Sequence, residues 1–260
     1  MTIRSASRST VSRSVRSGSV VIPVYDEGDA IVGCLDRILA GVTLPCEILV
    51  VFDDDDDTTV EPLRKYAAHD ARVVPTRNTY GRGPARAIRF GIDQVRAPVA
   101  VVTMADGSDD AEQVDELCKL VERGVVVAAA SRYMSGGQQI GGPWLKSQLS
   151  RLAGLSLYWF AHVGTRDATN SFKAYSVEFV RDVDIDSDTG FEIGIELVSK
   201  ARRLRKPVAE IPTIWLERAH GTSNLKVAKW IPRYLKWYRF AFGPKLSLDA
   251  VRAAGKELRS

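Results

Sequence analysis

Cysteine is too sparse in this 260-residue chain to build anything: Cys34, Cys46 and Cys118 are odd in number and far apart. That excludes a disulfide framework, and the spacing is not that of a zinc site. Reduced thiols in a cytosolic compartment are expected. Histidine is equally scarce, and His69, His162 and His220 lack metal-ligand spacing, so they are expected to be structural. No apolar run approaches the ~20 residues needed to cross a bilayer, the best being Leu152 to Val163. The early arginines are followed by no apolar segment of a secretory signal, although a Ser/Arg-rich, acid-free start also fits an organelle transit peptide. The Gly-x-Gly-x-x-Gly fingerprint is missing from the first strand–helix turn, which runs Pro23-Val24-Tyr25-Asp26-Glu27, so a nicotinamide or flavin dehydrogenase is excluded.

Charge is present but divided. Arg4, Arg8, Arg13 and Arg16 fall among serines with no acid in the first nineteen residues, and a disordered basic tail over residues 1–18 is expected. From Glu217 onward ten basic residues face three acids, a surplus of +7, which leaves the intervening body at −7 for a chain of net charge +4. An acidic body with a basic end is the wrong profile for a nucleic-acid binder, whose cations line the folded groove. It suits a protein that chelates a cation internally and meets an anionic surface with its end.

Short β-branched runs alternate with amphipathic stretches, which predicts an α/β fold: a mainly parallel central sheet with helices on both faces. Strands are expected at 19–24, 47–52, 72–75, 99–103, 125–130, 172–175 and 208–212. Helices are expected near 30–39, 60–68, 84–95, 111–122, 144–162 and 191–204. Ligands of such sheets bind beyond the carboxyl ends of the strands. Five polar clusters stand there in the sequence: Pro23 to Glu27, Asp53 to Asp57, Asn78 to Gly83, Asp106 to Asp110, and Ser131-Arg132-Tyr133.

Each cluster has a plain and a chemical reading. Asp53–Asp57 reads as a solvated acidic turn or, at a strand end, as a place where Asp53 accepts from a nucleobase. It is not an EF-hand, because Thr58 and Arg64 occupy the positions that need Gly and Glu. Asn78 to Ala85 contains two glycines and then Pro84, a turn suited to an anion, and it lacks the Gly-Lys-Ser/Thr of a Walker loop. Asp106, Asp109 and Asp110 follow a buried-looking strand. Asp109 or Ser108 is expected to cap the next helix, and Asp106 is the best candidate metal ligand, since a nucleotide diphosphate entering an acidic pocket requires a divalent cation. Arg132, Lys146 and Arg151 surround Gly136-Gly137 and are candidates for holding a second anion. Arg218, Gly221, Ser223 and Lys226 read as a lid over a leaving diphosphate.

At 100° per residue, Lys226, Lys229, Arg233, Lys236 and Arg239 fall on one arc, and Val227, Trp230, Ile231, Tyr234, Leu235, Tyr238 and Phe242 fall on the other. Phe240 lies among the bases, and Pro232 kinks or begins the helix. The pattern fits an interfacial helix on a membrane, and it fits a helix packed on the domain with a solvated basic face.

Taken in order, these segments resemble the family 2 glycosyltransferases of GT-A fold, and within them the dolichol-phosphate and polyprenyl-phosphate sugar synthases. The resemblance runs from about Ser19 to Phe242. It rests on Val21 to Glu27, Asp53, Gly81-Arg82-Gly83-Pro84-Ala85, Ala105-Asp106, Ser131-Arg132-Tyr133 with Gly136-Gly137, Asp167 to Tyr175, Glu210-Ile211-Pro212, and Arg218 to Ser223. It implies a GT-A (Rossmann-like) catalytic domain over 19–225, followed by a basic, aromatic C-terminal helix and tail over 226–260. Pro23, Tyr25, Glu27, Asp53 and Arg82 would line the nucleotide. Asp106, helped by Ser108 and Asp109, would bind Mg2+ or Mn2+. Arg132 and Lys146 would hold an acceptor phosphate, and Arg218 the donor diphosphate. Two departures stand out: the family's Asp-Ala-Asp-x-Gln reads Met104-Ala105-Asp106-Gly107-Ser108, and an acceptor-helix Arg is Lys146.

The expected activity is inverting transfer of a hexose from a nucleotide sugar, GDP-mannose or UDP-glucose in type, to a polyprenyl or dolichyl phosphate, peripheral on the cytoplasmic face of a membrane. Two alternatives stand beside it. Transfer to a sugar hydroxyl of a surface glycan would need Asp167, Glu192 or Glu196 as base. An inactive membrane-peripheral scaffold would explain Met104.

Overall fold

Alternation along the first strand decides the layers: Val20 and Ile22 point to one side of the sheet and Val21 to the other, and all three are buried. The structure, a computed structural model, describes residues 17–217 and 227–259, with the backbone alone at Lys146 and at residues 227–230. The chain begins β1 (Gly18–Pro23), α1 (Ala30–Gly41), β2 (Cys46–Phe52), α2 (Val60–Ala67), β3 (Val73–Arg77), α3 (Pro84–Gln94) and β4 (Val99–Val102). It continues through α4 (Val114–Glu122), β5 (Val127–Ser131), β6 (Gln138–Ile140), α5 (Trp144–Ser156), β7 (Lys173–Ser176), α6 (Val177–Val183) and α7 (Ile193–Leu204). It ends with β8 (Val208–Pro212), β9 (Ile214–Leu216), α8 (Val227–Ala241) and α9 (Leu248–Arg259).

Seven strands form one sheet in the order β3-β2-β1-β4-β7-β5-β8. Only β7 runs against the rest, antiparallel to both β4 and β5. On one face α1, α2 and α4 pack Ile31, Leu35, Leu63 and Leu117 onto Val20, Ile48 and Val101. On the other, α3, α6 and α7 pack Ile88, Val180 and Leu197 with Val21, Val51 and Val102. Burial on both faces is what a near-continuous apolar strand requires. Gly91 lets α3 approach β1 closely, since a Cβ there would lie 2.4 Å from Val21.

The α/β expectation holds, with differences at particular places. β3 runs to Arg77 and β5 starts two residues later than expected. The stretch read as one helix from Trp144 to His162 is α5 followed by a π-helical turn at Leu157–Ala161, ended by His162 in the left-handed region (φ 55°). Neither Asp109 nor Ser108 caps the helix after β4. Asp110 does, accepting from the Glu112 N–H at a 3-10 turn (Ala111–Gln113) that precedes α4. β6 and β9, three residues each, pair in parallel as a separate ribbon that sequence periodicity did not reveal. The residues expected as a tail form α9.

The C-terminal helix packs on α7. Trp237 and Ala241 are buried in the core with Tyr234, Tyr238 and Phe240 against it, while Ile231, Leu235 and Phe242 face out. The aromatics that share one arc of the helical plot, read as facing a membrane or as packed on the domain, are thus divided. Tyr234 and Tyr238 serve the domain, together with Trp237, which lies at about 240° from Ile231 by helical geometry.

Beneath α8 and α9 lies a buried ion cluster. The fully buried Lys200 ammonium donates to Asp186 and Glu196, each at 2.6 Å, and to the Val183 and Asp184 carbonyls. Its Nζ stands 5.2 Å from the Trp237 ring centre. Glu196 also accepts from the Asp186 and Ser187 N–H groups. Gly255 lays α9 directly on this cluster, since a Cβ would fall 2.0 Å from Asp186 Oδ2. Removing one partner of a buried pair strands the other, so Lys200→Ala should lower unfolding free energy by about 3–5 kcal/mol in urea titrations. A loss under about 1 kcal/mol would show that the cluster does not hold the C-terminal helices.

Candidate active site

Because every strand except β7 runs the same way, the five polar clusters emerge at one edge. The strand order reverses between β1 and β4, and the loops after these strands, Pro23–Glu27 and Met104–Asp110, flank the resulting crevice.

The aspartate run is mostly a loop clamp. Asp53 accepts from Asn78 Nδ2 (2.7 Å) and from the Gly83 N–H (2.8 Å). Asp54 pairs with Arg82, and that hydrogen bond holds the Asp54 carboxyl below its ordinary range. Asp55 pairs with Arg64 and Arg77. Asp57 accepts from the N–H groups of Asp26 and Thr59, and Thr59 in turn accepts from the Glu27 N–H. Loops after β1, β2 and β3 are thereby bound together. Gly83 adopts φ 123°, a conformation closed to other residues at low cost. Pro23 is buried at the strand end, whereas Tyr25 and Arg82 are exposed at the mouth. A carboxylate offers about four lone-pair positions, so Asp53 keeps acceptor capacity beyond its two bonds.

In the loop after β4, Asp106 accepts from the Ser108 N–H (3.1 Å). Asp109 turns inward, accepting from the Thr103 hydroxyl (2.8 Å) and the Met104 N–H (3.2 Å). Burial, with nearby Asp106 adding to it, pushes the Asp109 carboxyl up to about 6. Ser108 Oγ is buried and makes no hydrogen bond. Two neighbouring carboxyls and an orphaned hydroxyl form a set of hard oxygen donors. Among the described residues no three His, Cys, Asp or Glu side chains converge on a common point. The small ribbon is tied to this loop, as the Leu216 N–H donates to the Ser108 carbonyl.

Arg132, at the end of β5, is fixed by the fully buried Asp167 through Nε (2.7 Å), Nη2 (2.9 Å) and its own backbone N–H (3.1 Å). Burial opposes both charges, but each outweighs it for the other: Asp167 stays below its ordinary range and Arg132 above. The guanidinium also lies 4.9 Å from the Tyr133 ring centre. Arg132 and Tyr133 line a cleft of ≈ 620 Å³ with Gln139, Trp144, Ser147 and Arg151. Lys146 lies in the first turn of α5, beside that lining, and only its backbone is described. Arg218 and His220 fall outside the described residues.

Lys173 is the residue that sequence reasoning passed over. β7 enters the sheet at the carboxyl ends of β4 and β5, placing Lys173 opposite Val102 and Ala129. It is fully buried, and its Nζ donates to the Asn170 carbonyl. Burial lowers its pKa to about 8, opposed by Asp167 and Asp109 and reinforced by Arg132. The signal was there, a lone lysine inside the apolar run Phe172 to Tyr175. Of the three carboxylates considered as bases, Asp167 is committed to Arg132 and Glu196 to Lys200. Glu192 alone keeps a buried oxygen, Oε2, without a hydrogen-bond partner, and burial raises its pKa. Cys34 and Cys118 are buried, which pushes both thiols up to about 12, far from a nucleophile's range.

The mostly parallel seven-stranded sheet, covered by helices and reversing its order between β1 and β4, defines an α/β fold of the GT-A type. Residues 19–183 match glycosyl transferase family 2, and the chain belongs to that family of glycosyltransferases. It is 30% identical over 230 residues to the polyprenol monophosphomannose synthase of Mycolicibacterium smegmatis, covering 81% of this chain and 85% of that one. It is 26% identical to the undecaprenyl-phosphate mannosyltransferase of Micrococcus luteus, covering 79% and 86%. It spans 61% of the length of the Pyrococcus furiosus dolichol-phosphate mannosyltransferase, at 29% identity over 84% of this chain. In fold it is similar to the glucosyl-3-phosphoglycerate synthase of Mycobacterium tuberculosis, solved with Mn2+ and UDP (TM-score 0.65, 17% identity, 89% and 82% covered). It is also similar to a Pyrobaculum calidifontis mannosyltransferase solved with GDP-Man and Mn2+ (TM-score 0.58, 15% identity, 94% and 70% covered).

A raised carboxyl pKa means that stability falls as pH rises. Below about pH 4 Asp109 is neutral in both the folded and unfolded chain. Between about 4 and 6 the unfolded chain ionises first, and above about 6 the folded protein carries the charge at full cost. Without divalent cation, Asp109→Asn should therefore gain about 1–3 kcal/mol over wild type at pH 7.5 and little at pH 4, read from urea midpoints. An equal difference at both pH values would contradict the environment described for Asp109.

Proposed function

We propose that this glycosyltransferase moves a hexose, with inversion, from a nucleotide sugar of the GDP-mannose or UDP-glucose type to a polyprenyl or dolichyl phosphate. The single observation that carries the reading is the Asp167-anchored Arg132 on the wall of an open cleft, at the sheet edge that also carries the loop of Asp106 and Asp109. The names of the relatives support a lipid-phosphate acceptor, and the ligands of the structural neighbours support a nucleotide-sugar donor with a divalent cation.

Pro23, Tyr25, Glu27, Asp53 and Arg82 would frame the nucleotide, with Asp53 accepting from the base while it holds Asn78 and Gly83. Asp106, with Asp109 and Ser108, would hold Mg2+ or Mn2+, a cation commonly bound by one or two carboxylates plus substrate phosphates, which accommodates Met104. Bound there, the cation would supply neutralising charge to a diphosphate. Arg132 and Lys146 would orient the acceptor phosphate, which is ionised near pH 7 and needs no general base, while Arg218 would attend the leaving diphosphate. The chain would act from the cytoplasmic side as a peripheral protein. Among the described residues no helix is long and apolar enough to cross a membrane. Residues 19–225 would be the catalytic unit, with 226–260 completing it.

The test is a transfer assay with a panel of nucleotide sugars, polyprenyl phosphate and Mn2+, scoring lipid-linked sugar and free nucleotide. Wild type should form lipid-linked hexose, and Asp106→Asn should cut the rate at least about 100-fold while keeping its unfolding midpoint. Glycan-hydroxyl transfer abolished by Glu192→Gln would instead favour the hydroxyl acceptor. No product with any donor would favour a scaffold.

A further inference from the structure

Helix α5 is packed inside out. The side it turns to the domain is small and polar: Ser147, Ser150 bonded to Thr169 (2.6 Å), and Gly154, where a Cβ would fall 2.1 Å from the Arg166 carbonyl. The side it turns outward is large and apolar, with Leu145, Leu149 and Leu152 all exposed. The π-helical turn continues this face, with Trp159 62% and Phe160 76% exposed. Water-facing helices show the opposite arrangement, and apolar surface gathered this way marks a contact site.

The face extends onto α8. The Tyr238 hydroxyl meets Ser156 Oγ at the end of α5 (2.9 Å). Ile231, Leu235 and Phe242, at seven and three residues before and four after Tyr238, share its side of α8 and are exposed. The charge carried by these elements themselves has one sign, although Glu217 meets the Gly142 N–H just before α5 and Glu210 pairs with Arg166. Residues 144–166 and the whole of α8 contain no acid, while Arg151 and Arg239 are exposed. The cleft holding Arg132 opens at its edge, where Trp144 and Arg151 belong to both lining and rim.

We propose that α5, the π-helical turn and the outward stripe of α8 form one face that docks on an anionic lipid bilayer and sets the Arg132 cleft at headgroup level. The cleft's part in this rests on the lipid-phosphate reading above; the face itself does not. Rings and leucines enter the headgroup boundary while the arginines meet lipid phosphates. A second copy of the chain is a poor occupant, because a two-fold interface would set the acid-free, basic α5 and α8 of one copy against those of the other.

Sedimentation with phosphatidylglycerol and phosphatidylcholine vesicles tests the face without any transfer step. Wild type should bind phosphatidylglycerol vesicles, less so at high salt, and bind phosphatidylcholine weakly. Trp159→Ser/Phe160→Ser and Leu145→Ser/Leu152→Ser should each lower partitioning about tenfold while keeping wild-type unfolding midpoints. Both variants should also keep transfer to a short, water-soluble prenyl phosphate and lose it with vesicle-embedded acceptor. Variants that sediment as wild type would overturn the proposal, and so would a wild-type dimer in solution that the substitutions convert to monomer. If no variant or parent transfers to any lipid phosphate, the acceptor reading fails, and vesicle binding still decides the face.

Discussion

The buried pairing of Asp167 with Arg132 is the interaction on which the site depends. A carboxylate with no exposure is tolerable only when a cation and hydrogen bonds compensate it, and Arg132 provides a two-pronged guanidinium and a backbone N–H. The exchange fixes Arg132 at the wall of the cleft and leaves Nη1 outside the contact with Asp167. Lys173 below, whose burial is opposed by Asp167 and Asp109, and Asp109 on the neighbouring loop, which Arg132 favours as a carboxylate, belong to the same field. The edge of the sheet is thus a set of charges held in place by each other.

A second constraint holds the loops after β1, β2 and β3. Aspartates that look in sequence like a coordination loop are mostly spent on cross-linking, binding the loops after β1, β2 and β3 through Asn78, Gly83, Arg82 and the Asp26 N–H. Rigidity of loops at a binding edge is itself functional, because a preordered mouth loses less conformational entropy on binding. Asp53 illustrates both uses: its carboxylate sets the shape of the turn containing Gly83 and keeps acceptor positions to spare.

Much of this was legible in the residues. Alternating Val20, Val21 and Ile22 announce a strand buried on both faces, and polar clusters after five such runs announce one functional edge. Asp106 and Arg132 stand out because of where they lie relative to strands. What was not legible depended on distant partners. The commitment of Asp167 to Arg132 and of Glu196 to Lys200, which removes both as bases, has no local pattern. β6 and β9 are too short to show a period, and β7 reads as an ordinary strand although its direction is reversed. In α8 the angular plot separated bases from aromatics but did not identify Trp237 as the residue that enters the core. In α5 the leucines lie outward, whereas the small residues Ser150 and Gly154 make the contact.

The central claim is that the loops after β1, β2 and β4 jointly receive a sugar-bearing nucleotide with a divalent cation at Asp106. Isothermal titration calorimetry with GDP-mannose and UDP-glucose, with and without Mn2+, tests it directly. The account predicts saturable binding of at least one of the two, about tenfold tighter with the cation, a gain that Asp106→Asn abolishes. No heat from either nucleotide sugar under any condition would contradict it.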